Sequence, residues 1–286
     1  MDSRLDILIR TMDDKLDSMT PTVNQIRVYP VKSLDPLDLN RAEITANGAL
    51  SHDREFAILD PQDNYINGKR EPKIHCLSSE YIPSTKTLHL RSNDTDSKYQ
   101  FNILTEKDNL EIWLSDFFGY PVRLKQDSDE GFPDDEIASG PTVISTATIE
   151  TVASWFNGIS TEEMRRRLRP NIEISNTPAF WEDQLYTDRS HSIAFQIGKL
   201  ELQGTNPCSR CVVPTRDPDT GEEYSGFQET FVQQRQETLP KWANRDWFGH
   251  YFKLMVNTIV PLSGWKKVIE IGDPVRIIRK QEGNPQ

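Results

Sequence analysis

Residues 206–221 read NPCSRCVVPTRDPDTG and carry two of the chain's three cysteines, with an arginine directly before the second. A CxxC pair in this setting supports three kinds of chemistry: a redox dithiol, half of a tetrahedral zinc site, or a single thiolate presented to a larger cofactor. Zinc requires two further ligands. Cys76 and the scattered His52, His75, His89, His191 and His250 are available, and no HxxxH spacing joins them. A thioredoxin-type dithiol requires a helix to begin at the pair, because the helix dipole is what lowers the thiol pKa. Here VVPT and a DPDTG turn follow Cys211, a β-branched and proline-bearing run in which a helix does not start comfortably. A lone thiolate at Cys211 selects soft or high-valent metals, and Arg210 beside it favours both the thiolate and an anionic partner.

Further cations stand at the ends of strand-like segments. Lys32-Ser33 follow RVYPV, Arg54 lies in HDREF, and Arg169 in LRPNI precedes a proline that stops a helix. Singly, each arginine reads as a surface or structural ion pair; jointly, they could line a pocket for a phosphorylated ligand. Asp217 and Asp219 are hard ligands and suit the DPDTG turn better than a sulfur-based metal site.

The elements that must position these groups follow from periodicity. Leu5, Leu8, Ile9, Met12, Leu16 and Met19 recur at helical spacing up to Pro21, which predicts a helical extension over 1–22. From Val23 the rhythm becomes short β-type segments: VNQIRVYPV, LDLNRAEIT, REFAILD, IHCLSSEY, TLHLRS and YQFNIL. Alternation with frequent turns predicts an antiparallel or barrel-like sheet in this half, closed by a short amphipathic helix in KDNLEIWLSDFFG. The acidic, Gly/Pro-bearing DSDEGFPDDEIASGP reads as a surface loop or seam, so the two halves are expected over 23–126 and 127–286. In the second half STATIETVASWFNG predicts a helix capped by Ser145, and NIEIS, SIAFQIG, KLELQG and WKKVIEIGDPVRIIRK predict strands. QETFVQQRQETLPKWANRDW, with Trp242 and Trp247, fits either a pocket wall or core.

Composition sets outer limits. The 286 residues suffice for a large core, and no run of apolar residues is long enough for a spanning helix, so no membrane partner is expected. A net charge of −11 argues against nucleic acid, which needs a broad basic surface. The N-terminal stretch lacks a signal layout and holds five aspartates, so a cytoplasmic address with free thiols is expected.

Taken in order, YPVKS, HDREFAI, GKREPK, RPNI, CSRCVVPTRDPDTG, FGHYF and IGDPV resemble the MOSC-domain family from about Val23 to Ile278. Within it the resemblance is greatest to the amidoxime-reducing branch and to bacterial relatives that detoxify N-hydroxylated bases. It implies a mainly β fold with some α: an N-terminal β-barrel-like domain leading into the MOSC β-barrel domain. It also implies a molybdenum cofactor bound between them, with Cys211 as the protein's ligand to the metal and Cys208 as a neighbour. Lys32, Ser33, Arg54, Arg169, Ser209, Arg210 and Tyr251 carry over as pterin and phosphate contacts; Ser139 does so from a loop whose sequence departs from the animal pattern. The implied activity is reduction of small N-hydroxylated substrates to amine or amidine plus water. Three cysteines cannot hold a four-thiolate cluster, so an external electron donor of ferredoxin, flavodoxin or cytochrome b5 type is expected. Other MOSC-domain proteins act in cofactor maturation, and a molybdopterin-binding or sulfur-carrier role, with Cys208 in a relay, is the alternative.

Overall fold

A computed structural model describes residues 20–93, 95–135 and 137–278. The helix expected over Leu5 to Met19 lies outside the described residues. As the patterning predicts, the fold is mainly β with some α. The first half supplies strands β1 (Thr22–Val28), β2 (Leu37–Leu39), β3 (Arg41–Glu43), β4 (Phe56–Leu59), β5 (Leu77–Ile82), β6 (Thr87–Ser92) and β7 (Lys98–Asn102), then helix α1 (Lys107–Phe118) and β8 (Arg123–Gln126). After the acidic loop come β9 (Val143–Ser145), α2 (Thr146–Ser154), α3 (Thr161–Leu168), β10 (Ile172–Ser175), β11 (Ile193–Ile197) and β12 (Leu200–Ser209). The chain continues with α4 (Phe227–Glu237), β13 (Lys253–Ile259), β14 (Val268–Glu270) and β15 (Val275–Ile277).

The largest sheet has the order β15-β11-β12-β13-β9-β10-β1-β2. Thus β1 and β2, from the start of the chain, pair into a sheet otherwise built after residue 140; β1 runs antiparallel to β10 with Ile26 opposite Ile172. The pair β9/β10 is parallel, and α2 and α3 make the crossover that a parallel connection requires. Smaller sheets pair β4 with β8, β3 with β14, and β5-β6-β7. Ile26, Val28, Ile172, Phe195 and Leu202 close one core along the large sheet, while Phe56, Leu77, Leu90, Leu110 and Leu114 close another under α1.

Local chemistry sets the helix ends. Ser145 Oγ accepts the Thr148 N–H at the start of α2, and Ser160 does the same for Glu163 at the start of α3. α1 stops at Gly119 with φ 83°, a left-handed conformation open to glycine. α3 stops at Arg169, itself left-handed at φ 55°, because Pro170 cannot continue the helix. Between α4 and the large sheet lies a buried charge cluster: Arg235, 0% exposed, donates to both Asp183 oxygens at 2.8 and 2.6 Å beneath the rings of Phe180 and Phe248. Among the described residues no helix is long and apolar enough to cross a membrane.

Candidate functional site

Strand β12 carries the cysteine motif toward the other half of the chain. Its register against β13 shifts between Pro207 and Ser209, and the Arg210 N–H then donates to Phe252 O at 2.9 Å, so the chain leaves the sheet at the CxxC pair. After Cys211 only a short 3₁₀ turn, Val213–Thr215, forms, and Asp217 Oδ1 accepts the N–H groups of Asp219 and Thr220 to shape the turn. No α-helix follows until Phe227, which removes the dipole that a thioredoxin-type thiol uses. The two sulfurs differ in environment. Cys211 is exposed; Cys208 is 5% exposed and its thiol donates to Asn257 Oδ1 at 2.7 Å. Burial pushes the Cys208 thiol up to about 12. Among the described residues no cluster of three or more His, Cys, Asp or Glu side chains is arranged to hold a metal ion.

Lys32, Ser33, Arg54, Ser139, Arg169, Ser209, Arg210 and Cys211 line one cavity of about 560 Å³. Tyr251 is not among its lining residues: it packs on the large-sheet core, its ring stacked on Phe248 with centroids 5.6 Å apart. His250 is exposed beside it, and Trp242 and Trp247 also stand away from the cavity, donating to the carbonyls of Phe180 and Thr187.

Tyr29, part of the YPVKS motif but not singled out from the sequence, organises the cations. Its ring lies 4.0 Å from the Arg169 guanidinium and 5.9 Å from that of Arg54, its N–H donates to Asp53 Oδ1 at 2.8 Å, and its hydroxyl donates to Pro170 O. Burial, the largest influence, raises the phenol to about 12, so a neutral aromatic ring faces both guanidinium groups. Arg169 also donates to Leu34 O at 2.8 Å, which ties the end of α3 to the segment after β1. Arg210 donates to Leu168 O at 2.9 Å, satisfying a terminal carbonyl of α3, while its Nε is buried without a partner.

The acidic loop, which sequence alone presents as a surface loop or seam, forms a wall of the cavity through Glu130, Asp134, Asp135 and Ser139. Phe132 anchors it: the ring is 6% exposed and the Phe132 N–H donates to Arg54 O at 2.9 Å. Lys32, 6% exposed, donates from Nζ to Phe132 O at 2.8 Å, to Pro133 O at 3.3 Å and to Asp134 Oδ1 at 2.6 Å. Burial, the largest influence, lowers the pKa of this ammonium, with Asp134 acting in the opposite direction. Arg54 donates to Asp53 Oδ2 at 2.6 Å and to Asp134 Oδ2 at 3.2 Å. Asp135 is tied differently, accepting the N–H groups of Ile137 and Ala138 and the Asn257 side-chain amide. His75 also borders the cavity, its Nε2 buried and unpartnered; burial, then Arg169 and Arg216, lowers its imidazolium to about 4, so the ring is neutral. The arrangement is an exposed thiol in the same cavity as Lys32, Arg54, Arg169 and Arg210, suited to an anionic ligand that also offers the sulfur a soft partner.

Comparison with known proteins bears on this arrangement. Residues 20–122 match the family described as MOSC N-terminal beta barrel domain, and residues 141–276 match the one described as MOSC domain. Mitochondrial amidoxime-reducing component 1 of Homo sapiens is 25% identical over an alignment of 298 positions, gaps included, that covers 90% of this chain and 83% of that protein. Mitochondrial amidoxime reducing component 2 of Bos taurus is 26% identical over 234 residues, covering 70% and 68%. Molybdenum cofactor sulfurase of Caenorhabditis elegans is 26% identical over 230 residues, covering 73% of this chain but only 31% of that longer protein.

Proposed function

This chain belongs to the MOSC-domain family, and from that premise we propose that it is a molybdenum-cofactor-dependent reductase of N-hydroxylated compounds. The observation that carries the reading is the convergence of the exposed Cys211 with Lys32, Arg54, Arg169 and Arg210 on one cavity.

The residues present fit such a group. A thiolate is a suitable ligand for molybdenum, and a phosphate on the pterin needs charge-assisted donors in a chain whose net charge is −11. The buried, unpartnered Arg210 Nε and the hydroxyls of Ser33 and Ser209 add hydrogen-bonding capacity in residues that line the same cavity, whereas the Ser139 hydroxyl is already given to Asn47 O at 2.6 Å. In this reading Cys211 holds the metal, and the cations and serines hold pterin and phosphate. Bound, the cofactor supplies a two-electron couple capable of cleaving an N–O bond. The balance is R–NHOH plus two electrons and two protons giving R–NH₂ and water; the electrons come from an external ferredoxin, flavodoxin or cytochrome b5-type donor. The chain's own part is to orient and charge-match: Tyr29 packs against Arg54 and Arg169, and the acidic loop forms one wall of the cavity.

The alternative is a molybdopterin-binding or sulfur-carrier protein without reductase activity, and its sulfur-carrier form asks Cys208 to pass sulfur. A buried thiol held protonated by its environment and bonded to Asn257 is a poor nucleophile for that step. The two readings separate on the natively purified protein. Metal analysis and pterin fluorescence report the cofactor, and benzamidoxime consumption under a chemical reductant reports catalysis. The reductase reading expects both; molybdenum and pterin without turnover favours the carrier, and absence of both defeats each.

A further inference from the structure

We propose that Asp134 is a latch on the anion seat: its carboxylate occupies Lys32 and Arg54 until a phosphate-bearing ligand displaces it. The inference rests on the reading above only in taking Lys32 and Arg54 as phosphate contacts.

A lysine ammonium has three hydrogens to give. All three of the acceptors found for Lys32, the carbonyls of Phe132 and Pro133 and the carboxylate of Asp134, come from one stretch of the acidic loop. The ammonium is therefore saturated from within the chain and has no donor left for an incoming anion. Arg54 is partly engaged, Nη1 donating to Asp53 and Nη2 to Asp134, which leaves further N–H donors on its guanidinium. A phosphate reaches the Lys32 ammonium, and takes Arg54 with it, only when something lets go.

The contacts differ in how easily they release. The Phe132 carbonyl belongs to backbone pinned by a buried ring and by the bond from Phe132 N to Arg54 O. Asp53 is fixed by the Tyr29 N–H as well as by Arg54. Asp134 is different: its side chain is 71% exposed, and water can solvate it as soon as it turns outward. Its two oxygens bridge the cations, Oδ1 on Lys32 and Oδ2 on Arg54, so its departure frees one donor on each at a single point. A phosphate presents a like pair of oxygens to such donors and carries more charge. Until it arrives, the carboxylate neutralises an ammonium that burial would otherwise leave uncompensated. The segment that supplies the latch also lines the cavity, so ligand entry and latch release occur at one wall.

The test is a calorimetric titration of inorganic phosphate into the full chain, produced in a host that makes no pterin cofactor, at constant ionic strength. Asp134→Asn removes the competing charge and keeps the shape; its phosphate affinity is expected to rise about tenfold over the wild-type chain. Asp134→Ser serves as a second variant and is expected to move in the same direction. Adding Lys32→Gln to Asp134→Asn is expected to abolish the gain, locating it at this seat. Equal or weaker phosphate binding by both Asp134 variants, or no binding by any of them, overturns the latch. Failure here is separate from failure of the proposed function: a native preparation devoid of molybdenum and pterin defeats that reading and leaves the phosphate titration standing.

Discussion

The Cys208 thiol donates to Asn257 Oδ1 across 2.7 Å, and the nitrogen of the same amide donates to Asp135 Oδ2 at 3.2 Å. The first cysteine of the motif is thereby a structural strut between β12, β13 and the acidic loop, while the second faces solvent. With burial raising its thiol to about 12, Cys208 stays protonated at pH 8. Folded chain from a host that makes no pterin cofactor, treated with iodoacetamide at that pH, is expected to be alkylated at Cys211 and spared at Cys208, read by mass spectrometry of the tryptic peptides. Preferential labelling of Cys208 would contradict the burial.

Replacing Cys211 with alanine removes the sulfur but touches little of the packing, because the side chain is exposed. Benzamidoxime reduction is expected to fall by at least about 100-fold, with unfolding free energy within about 0.5 kcal/mol of wild type. Pterin fluorescence should largely persist, since the basic side chains are intact. Undiminished turnover removes Cys211 from the metal-ligand role.

Glu182 gives the fold a pH signature. Burial, reinforced by the neighbouring Asp183, raises its carboxyl from 4.5 to about 7. The folded chain thus holds a proton that the unfolded chain has released, and the stability linked to it is whole below about pH 4.5 and lost as pH climbs through 7. Glu182→Gln does not titrate. Its stability relative to wild type is expected to improve by about 2 kcal/mol between pH 5 and pH 8, measured by urea unfolding. A gap that shrinks with rising pH contradicts the assignment.

Arg235→Met strands the Asp183 carboxylate, 1% exposed, without its counter-ion. A loss of about 3–5 kcal/mol is expected in denaturant titration, and adding Asp183→Asn should recover part of it. A single variant as stable as wild type would mean that the buried pair is not the tie between α4 and the segment before β11.

Much of this architecture is legible in the residues themselves. Ser145 caps α2, Gly119 ends α1 and Pro170 ends α3, because each is a local signal with a local cause. The absence of a helix after Cys211 is legible for the same reason. Other features depend on partners far away in the chain. The acidic loop has the composition of a solvated segment, and nothing near it announces that Lys32, a hundred residues earlier, directs its ammonium to that loop's oxygens. Tyr251 sits in the FGHYF motif, yet the turn before β13 gives its ring to Phe248 and the core rather than to the cavity. The parallel β9/β10 pair, and the docking of β1 beside β10, are likewise set by long-range packing that period-two alternation does not encode. Tyr29 belongs to the YPVKS motif, but its role as a spacer between two guanidinium groups emerges only when Arg54 and Arg169 are brought to its ring.

The bond from Arg169 to Leu34 O spans 135 positions of sequence, and those from Lys32 into the acidic loop span about a hundred. Anything seated among these groups fastens remote stretches of polypeptide to one another. Occupancy and folding would then draw on a common free energy, so a freshly made chain with nothing seated there would open more often at this junction and offer proteases a longer window.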